Sequence, residues 1–485
     1  MSIPTLVTFI AYLLGMLVIG LIFYRLTNNL SDYVLGGRQL GGGVAALSAG
    51  ASDMSGWLLL GLPGAMYAAG MNQVWIAVGL CIGAYLNWQF VAKRLRVYTE
   101  IAEDSITVPD YLENRFRDHS KVLRVVSAVV ILLFFAFYTS SGMVAGATLF
   151  QKSFGLDYTT ALWIGSIVIV SYTFMGGFMA VCWTDFFQGL LMFLALILVP
   201  IVVVNAEGGW SQAVNQVGNI DPTKLDIFHD MTVFGIISLM AWGLGYFGQP
   251  HIVVRFMAVK SSKEIAKARA VGMTWMVLAL YGAIFTGFAG IVYFADNPLQ
   301  NPETVFITLS QVLFNPWVAG VLLAAILSAI MSTIDSQLLV SSSALTEDFY
   351  KALLRKNASE TELVWVGRST VAGIALIAVF MAYNPDSTVL GLVAYAWGGF
   401  GAAFGPVIIL SLFWQRMTRN GALVGMILGA VTVVFWKQLD GGVFDMYEIL
   451  PGFIICTIAV IVVSLLDKEP QPEIQDEFAE MERAL

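Results

Sequence analysis

Three stretches of this 485-residue sequence put oxygen-bearing side chains where hydrocarbon is expected. The first is "LSAGASDMSGW", residues 47–57, inside an apolar run from Gly41 to Gly70 that is long enough to cross a bilayer. It sets Asp53 among Ser48, Ser52 and Ser55. A carboxylate near mid-membrane costs about 2.5–3.5 kcal/mol or more, so such residues mark ion or solute paths; capping of a broken half-helix is the structural alternative. The second stretch is "SLMAWGLGYFGQPHIVVRF", residues 238–256, where Trp242 and Tyr246 stand among Gly243, Gly245 and Gly248, with Pro250 following. The third is "LSAIMSTIDSQLLVSSSALTED", residues 327–348. Its Ser328, Ser332 and Ser336 recur at helical spacing, with Thr333 and Asp335 beside them, which lines oxygens along one side of a helix. Hydroxyls can bond back to their own helix, so Asp335 is what makes this stretch a candidate polar site.

The elements that must position these residues are membrane helices. Hydrophobic residues make up 58% of the chain and charged residues 12%, where a soluble domain carries about 25% charged. Long apolar runs, instead of the dyad alternation of a barrel, make the fold class all-α and polytopic. Polar breaks leave thirteen expected transmembrane helices: 4–24, 41–70, 73–92, 123–150, 159–177, 186–205, 231–250, 270–294, 316–345, 365–383, 387–414, 421–436 and 447–466. The N-terminal run lacks the basic region and cleavage site of a signal peptide and reads as a retained span. Cys81, Cys182 and Cys456 lie in or beside apolar runs, which argues against a disulfide framework or metal cluster.

Charge sets the orientation. With the N-terminus outside, only Lys152, Lys224 and Lys437 fall on the outer side. The other 22 of the 25 Lys and Arg residues, Arg25 and Arg38 among them, fall inside. So lopsided a division is what the positive-inside rule expects of a correct span count, with the C-terminus inside. The expected organisation is a first helix and inner loop (1–40), a five-helix group (41–205), a second five-helix group (206–420), two final helices (421–466) and a cytoplasmic tail (467–485). The two groups of five begin on opposite sides of the membrane and are therefore inverted. Eight of the thirty residues from Gly41 to Gly70 are glycine, each costing about 1 kcal/mol in a helix relative to alanine. Close helix packing is one use for them; an unwound segment near "AGASDMSG" is the other. The glycine-interrupted runs 41–70 and 231–250 hold the first place in each group, and paired interrupted spans point to a midplane site in an inverted-repeat transporter.

The stretches "DYVLGGRQLGGGVAALSAGASDMSGWLLLGLPGAMY", "MAWGLGYFGQPHIVVRFMA", "AIMSTIDSQLLVSSSALTEDFYK" and "AYAWGGFGAAFGPVI" resemble the solute:sodium symporter family, and within it the bacterial members that carry proline. The resemblance runs over nearly the whole chain. It implies a LeuT-like fold of two inverted five-helix repeats, with one helix before and two after. It also implies Na⁺ as the co-transported ion, L-proline as the solute, and no catalysed reaction. A protein working as a monomer in the bacterial plasma (inner) membrane is expected. The family's sodium ligands fall on the carbonyls of Ala51, Met54 and Ala329 and the hydroxyls of Ser332 and Thr333; hard cations take such oxygens. Substrate residues fall on Ser55, Tyr138, Trp242, Tyr246 and Pro250. Asp53, Arg38 and Ser48 match positions implicated in coupling. A second sodium site found in some members maps to Asp185, Ser332, Asp335 and Ser336, where the carboxylate of Asp335 replaces a hydroxyl.

Other solutes stay open at this stage, among them pantothenate, a compatible solute or a sugar, because pocket substitutions change substrates cheaply. A membrane sensor or channel is the reading from another class, but neither a signalling domain nor a ring-like filter sequence follows. An ATP-driven pump lacks its phosphate loop, since no G-x-x-x-x-G-K-[ST] occurs. His119, His229 and His251 read as loop or interface residues, 206–230 as a solvated outer loop, and the acidic tail as a mobile or partly helical end.

Overall fold

The structure, a computed structural model, describes residues 2–24, 30–173, 177–384 and 386–485. Arg25, assigned above to the inner side, and residues 174–176 of the fifth expected span lie outside the described residues. The chain opens with α1 (Ile3–Tyr24). The glycine-rich run then divides into α2 (Gly42–Asp53) and α3 (Trp57–Ala69). Next come α4 (Met71–Ile101), a short α5 (Val108–Arg115), α6 (Val122–Phe154), α7 (Tyr158–Thr173) and α8 (Phe178–Ala206). The second interrupted run forms α9 (Val233–Gly248) and α10 (Pro250–Ala258). After it come α11 (Ile265–Tyr293), α12 (Pro316–Ser343), α13 (Glu360–Met381) and α14 (Val389–Phe413). The chain closes with α15 (Arg419–Trp436), α16 (Ile449–Leu466) and α17 (Pro472–Ala484). Among the described residues ten helices are long and apolar enough to cross a membrane, and α3, α7 and α9 are shorter apolar helices in the places of three further expected spans.

Both interruptions have local causes. α2 stops at Met54 (φ −79°, ψ 71°), whose N–H still closes on the Gly50 carbonyl, and the chain restarts at Trp57 with Pro63 early in the next regular turns. In the second run Gln249 is extended (φ −79°, ψ 110°), the conformation that a following proline imposes on its predecessor, and Pro250 then begins α10. The glycines before it serve packing. A Cβ on Gly243 would stand 2.1 Å from the Gly79 carbonyl oxygen, so α9 and α4 meet backbone to backbone. A Cβ on Gly245 would collide with the Trp397 ring of α14. α12 carries its hydroxyls on a continuous helix and widens only over Ala344–Leu354.

α2 packs against α8, α10, α11 and α12, which puts the first interrupted helix against elements of both groups. At one end of the bundle the two interrupted helices are tied directly: Leu40 N–H donates to the Ala258 carbonyl (3.1 Å) and Lys260 N–H to the Leu40 carbonyl (3.0 Å). The same end holds a charged cluster around Arg124, which reaches Asp348 (2.7 Å), Glu113 (3.0 Å), Asp110 (3.1 Å) and Glu347 (3.5 Å). The tail is not a loose end. Amphipathic α17 buries Ile474, Phe478 and Met481, sets Phe478 against Tyr98 and Arg115, and pairs Glu477 with Arg117 at 2.5 Å. The stretch read as a solvated loop contains a helix, Trp210–Ile220, and anchors Lys224 Nζ on the Tyr67 carbonyl at 3.0 Å.

Candidate functional site

The end of α2 frees a carbonyl, and α12 meets it. Ser332 donates its hydroxyl to the Ala51 carbonyl at 2.8 Å and Thr333 stands 3.4 Å from the same oxygen. Ser332 also approaches the Ala329 carbonyl at 3.2 Å. Four of the five residues expected to ligate a cation are therefore joined by hydrogen bonds across 281 residues of sequence, and the fifth, Met54, is buried at the break itself. A hydroxyl that donates to a carbonyl here can turn a lone pair toward a cation placed between them. Neutral oxygens of this type suit Na⁺ without a second buried charge.

Asp53 faces away from this group and across to the second interrupted helix. Its Oδ2 accepts from the Tyr246 hydroxyl at 2.5 Å, and its Oδ1 has no partner among the described residues. Its backbone carbonyl is a hub: the Tyr138 hydroxyl and the Trp57 indole N–H each donate to it at 3.1 Å, and Ser55 N–H at 2.9 Å. The break between α2 and α3 is thus held by Tyr138 of α6 and by its own next turn. Tyr246 rests edge-on against Trp397, 5.1 Å between centroids, while Trp242 lies between Trp57 (6.2 Å) and Tyr447 (5.3 Å).

Asp53, Met54 and Tyr246 line a cavity of about 20 Å³ together with Asn87, Trp88 and Met276. That is room for one water and for nothing the size of an amino acid. Pro250 is buried but lines a different small cavity, with Thr107, Ile131 and Asp348. Arg38 is likewise remote from Asp53. It ion-pairs with Asp104 (2.7 Å) and donates to the carbonyls of Met257 and Ser105 (2.7 Å each), clasping the far end of α10.

Ser48 belongs to a second polar cluster. Its hydroxyl donates to Asp185 Oδ2 at 2.6 Å, and Asp185 pairs with Arg255 at 3.1 Å, both side chains fully buried. The expected span began at 186; the helix in fact starts at Phe178 and carries Asp185 inside it. Arg255 also donates to Ser336 at 2.6 Å, and Asp335 stands beside Ser336 at 3.5 Å. Of the residues expected to form a second cation site, Asp185 and Ser336 meet at an arginine, Asp335 stands beside Ser336, and Ser332 is held at the Ala51 carbonyl.

Sequence reasoning passed over several residues of these clusters. Arg255, one of the 22 charges that the positive-inside rule places on the inner side, is fully buried, and His251, one turn before it, is no loop residue: it is fully buried against Phe135 and Tyr138. Both lie in the quoted stretch "QPHIVVRF", where two titratable residues in an apolar segment were the available signal. Asn87, whose amide donates to the Tyr246 carbonyl at 2.9 Å, and Trp397, which donates to the Trp242 carbonyl at 2.7 Å, had no such signal.

Residues 33–429 match the family model described as the sodium:solute symporter family. The chain is 57% identical to the sodium/proline symporter of Salmonella typhimurium, covering 99% of this chain and 96% of that one. It is 55% identical to the high-affinity proline transporter PutP of Bacillus subtilis, over 96% and 98% of the two chains. Among solved structures, the substrate-bound, outward-open form of a Na⁺-coupled sialic acid symporter superposes with a TM-score of 0.82 over 97% of this chain and 99% of that one; at 20% identity this speaks for the fold. With a family match over most of its length, and with α2, α9 and α12 contributing Ala51, Asp53, Tyr246 and Ser332 to one polar group, the chain belongs to the sodium:solute symporter family.

Proposed function

We propose that this protein couples inward movement of Na⁺ to uptake of L-proline by alternating access. The observation that carries the reading is the Ala51 carbonyl, freed at the end of α2 and met by the hydroxyls of Ser332 and Thr333. Na⁺ binds there, with Met54 and Ala329 supplying further carbonyls. Proline binds alongside, between Ser55, Tyr138, Trp242 and Tyr246, with Pro250 setting the bend below them; aromatic faces suit its ring and ammonium group. The proline named by the relatives supports this choice of solute over pantothenate, a compatible solute or a sugar.

Asp53 links the two ligands. It sits between Met54 of the ion site and Tyr246 of the solute site, so an ion that settles the α2 break also fixes Tyr246 through its carboxylate. Each ligand then raises the other's affinity by the same factor. Arg38 holds one end of α10 shut until the site is filled. The inverted groups 41–205 and 206–420 are the halves that move against each other, with the N-terminus outside, α17 on the cytoplasmic side, and one chain sufficient for transport.

Labelled proline uptake into proteoliposomes, with and without an inward Na⁺ gradient, tests this for wild type and for Ser332→Ala/Thr333→Ala. Na⁺-driven accumulation that disappears in the variant is the expected result. Uptake indifferent to Na⁺ overturns the coupling, and folded protein that takes up no proline overturns the solute.

A further inference from the structure

Asp53 Oδ1 and Asn87 Oδ1 are buried acceptors with no hydrogen-bond partner among the described residues. Both residues line the same cavity of about 20 Å³, whose wall also includes Ala46, Ile252 and Met276. Each residue's other polar atom is tied to Tyr246. Asp53 Oδ2 accepts from the Tyr246 hydroxyl at 2.5 Å, and the Asn87 amide donates to the Tyr246 carbonyl at 2.9 Å. The two free oxygens are thus the ends of one chain of hydrogen bonds that passes through both the ring and the backbone of Tyr246. An acceptor buried without a donor is costly, the more so when it is charged. Whatever closes this chain must be small and must donate twice. A hard cation gathers several oxygens, more than these two, and an amino acid exceeds the cavity. A water needs roughly 10–15 Å³ and at least two polar partners, and here it gives one proton to each oxygen.

We propose that Asn87 is a positioning residue for the coupling of ion to solute, acting on Asp53 through one buried water and on Tyr246 through its amide, an inference that rests on the Na⁺-coupled proline reading above. A bond through a water is nearly as good as a direct one. With Oδ2 held from α9 and Oδ1 held from α4, the carboxylate cannot turn about its own side-chain bonds when the backbone at Asp53 and Met54 shifts. A displacement at the α2 break then reaches Tyr246 instead of being absorbed by rotation of Asp53. Asn87 is fully buried in an apolar stretch of α4, and both of its polar atoms serve this arrangement.

The test is equilibrium binding of labelled proline to the purified full chain, without added Na⁺ and at saturating Na⁺. The ratio of the two dissociation constants is the coupling factor. Asn87→Leu removes the amide and leaves the water one partner, and its factor is expected to fall roughly tenfold, the loss that accompanies a hydrogen bond to a charged group. Asn87→Ser, whose hydroxyl both donates and accepts, is expected to stay within about threefold of wild type. A merely structural role would lower thermal stability and move both constants together, leaving their ratio alone. Folded Asn87→Leu with the wild-type factor overturns the proposal, and so does Asn87→Ser as poorly coupled as Asn87→Leu. A density map of the wild-type chain that resolves buried water elsewhere but none between Asp53 and Asn87 overturns it with no variant needed. A wild type whose proline affinity ignores Na⁺ overturns the coupled reading and this inference together, so the two failures are distinguishable.

Discussion

Removing the Tyr246 hydroxyl should weaken ligand binding by a calculable amount. Tyr246→Phe keeps the ring, and with it the edge-on contact to Trp397 at 5.1 Å and the packing of α9. What it loses is the 2.5 Å hydrogen bond to Asp53 Oδ2. Asp53 is 2% exposed and its other carboxylate oxygen has no partner among the described residues, so the variant leaves the carboxylate without a side-chain donor. A hydrogen bond to a charged group contributes about 1.5–3 kcal/mol. At about 1.4 kcal/mol per factor of ten this is a roughly 10- to 150-fold rise in the half-saturating Na⁺ or proline concentration. The cavity beside Asp53, at about 20 Å³, admits one water that can replace part of the lost bond, which favours the lower half of that range. The assay is equilibrium binding of labelled proline over a Na⁺ titration, for Tyr246→Phe, Asp53→Asn and the double variant. If the two positions act through this bond, the double variant is little worse than Asp53→Asn alone. A shift below threefold in Tyr246→Phe, or full additivity in the double variant, would refute the reasoning.

Three further outcomes follow from the packing and the charges. Gly243→Ala puts a methyl 2.1 Å from the Gly79 carbonyl oxygen, a backbone contact that cannot rotate away, so thermal unfolding in detergent should fall by an amount corresponding to at least the usual 1–3 kcal/mol of overpacking. Arg124→Ala takes the ion-pair partner from Asp110, Glu113 and Asp348, while Glu347 keeps Lys351 at 3.0 Å, and should cost about 3–5 kcal/mol in the same measurement, partly recovered by Asp348→Asn. Asp118, in the turn before α6, is pushed up by burial, but hydrogen bonds from Ser120 and the Leu123 N–H, with Arg419 at 2.7 Å, outweigh this and hold it below its ordinary value of 3.8. Its contribution to stability is complete above about pH 5 and is lost as pH falls through its depressed folded value; Asp118→Asn should therefore flatten the acid limb of a stability–pH curve.

The sequence by itself determined the class, the interruptions and the hydroxyl pair of the candidate ion site. Apolar runs and their basic flanks are properties of the chain read in order, and so are the glycine cluster around Asp53 and the Gln249–Pro250 step. The Ser332–Thr333 pair was legible for the same reason, because helical spacing puts both hydroxyls on neighbouring faces of one helix, although their aim at Ala51 came only through the family resemblance. Tertiary structure decided which partners these groups take. Asp53 could have met the ion; it meets Tyr246, 193 residues away, because the packing of the bundle brings the Tyr246 hydroxyl on α9 to the end of α2. Ser48, one turn before the break, looks like part of the same site but faces α8 and joins Asp185 and Arg255. Pro250 turns its ring into another cavity. Periodicity tells which face of a helix is polar, but not which helix that face will meet, and a buried charge takes whatever opposite charge the packing of separate helices delivers to it.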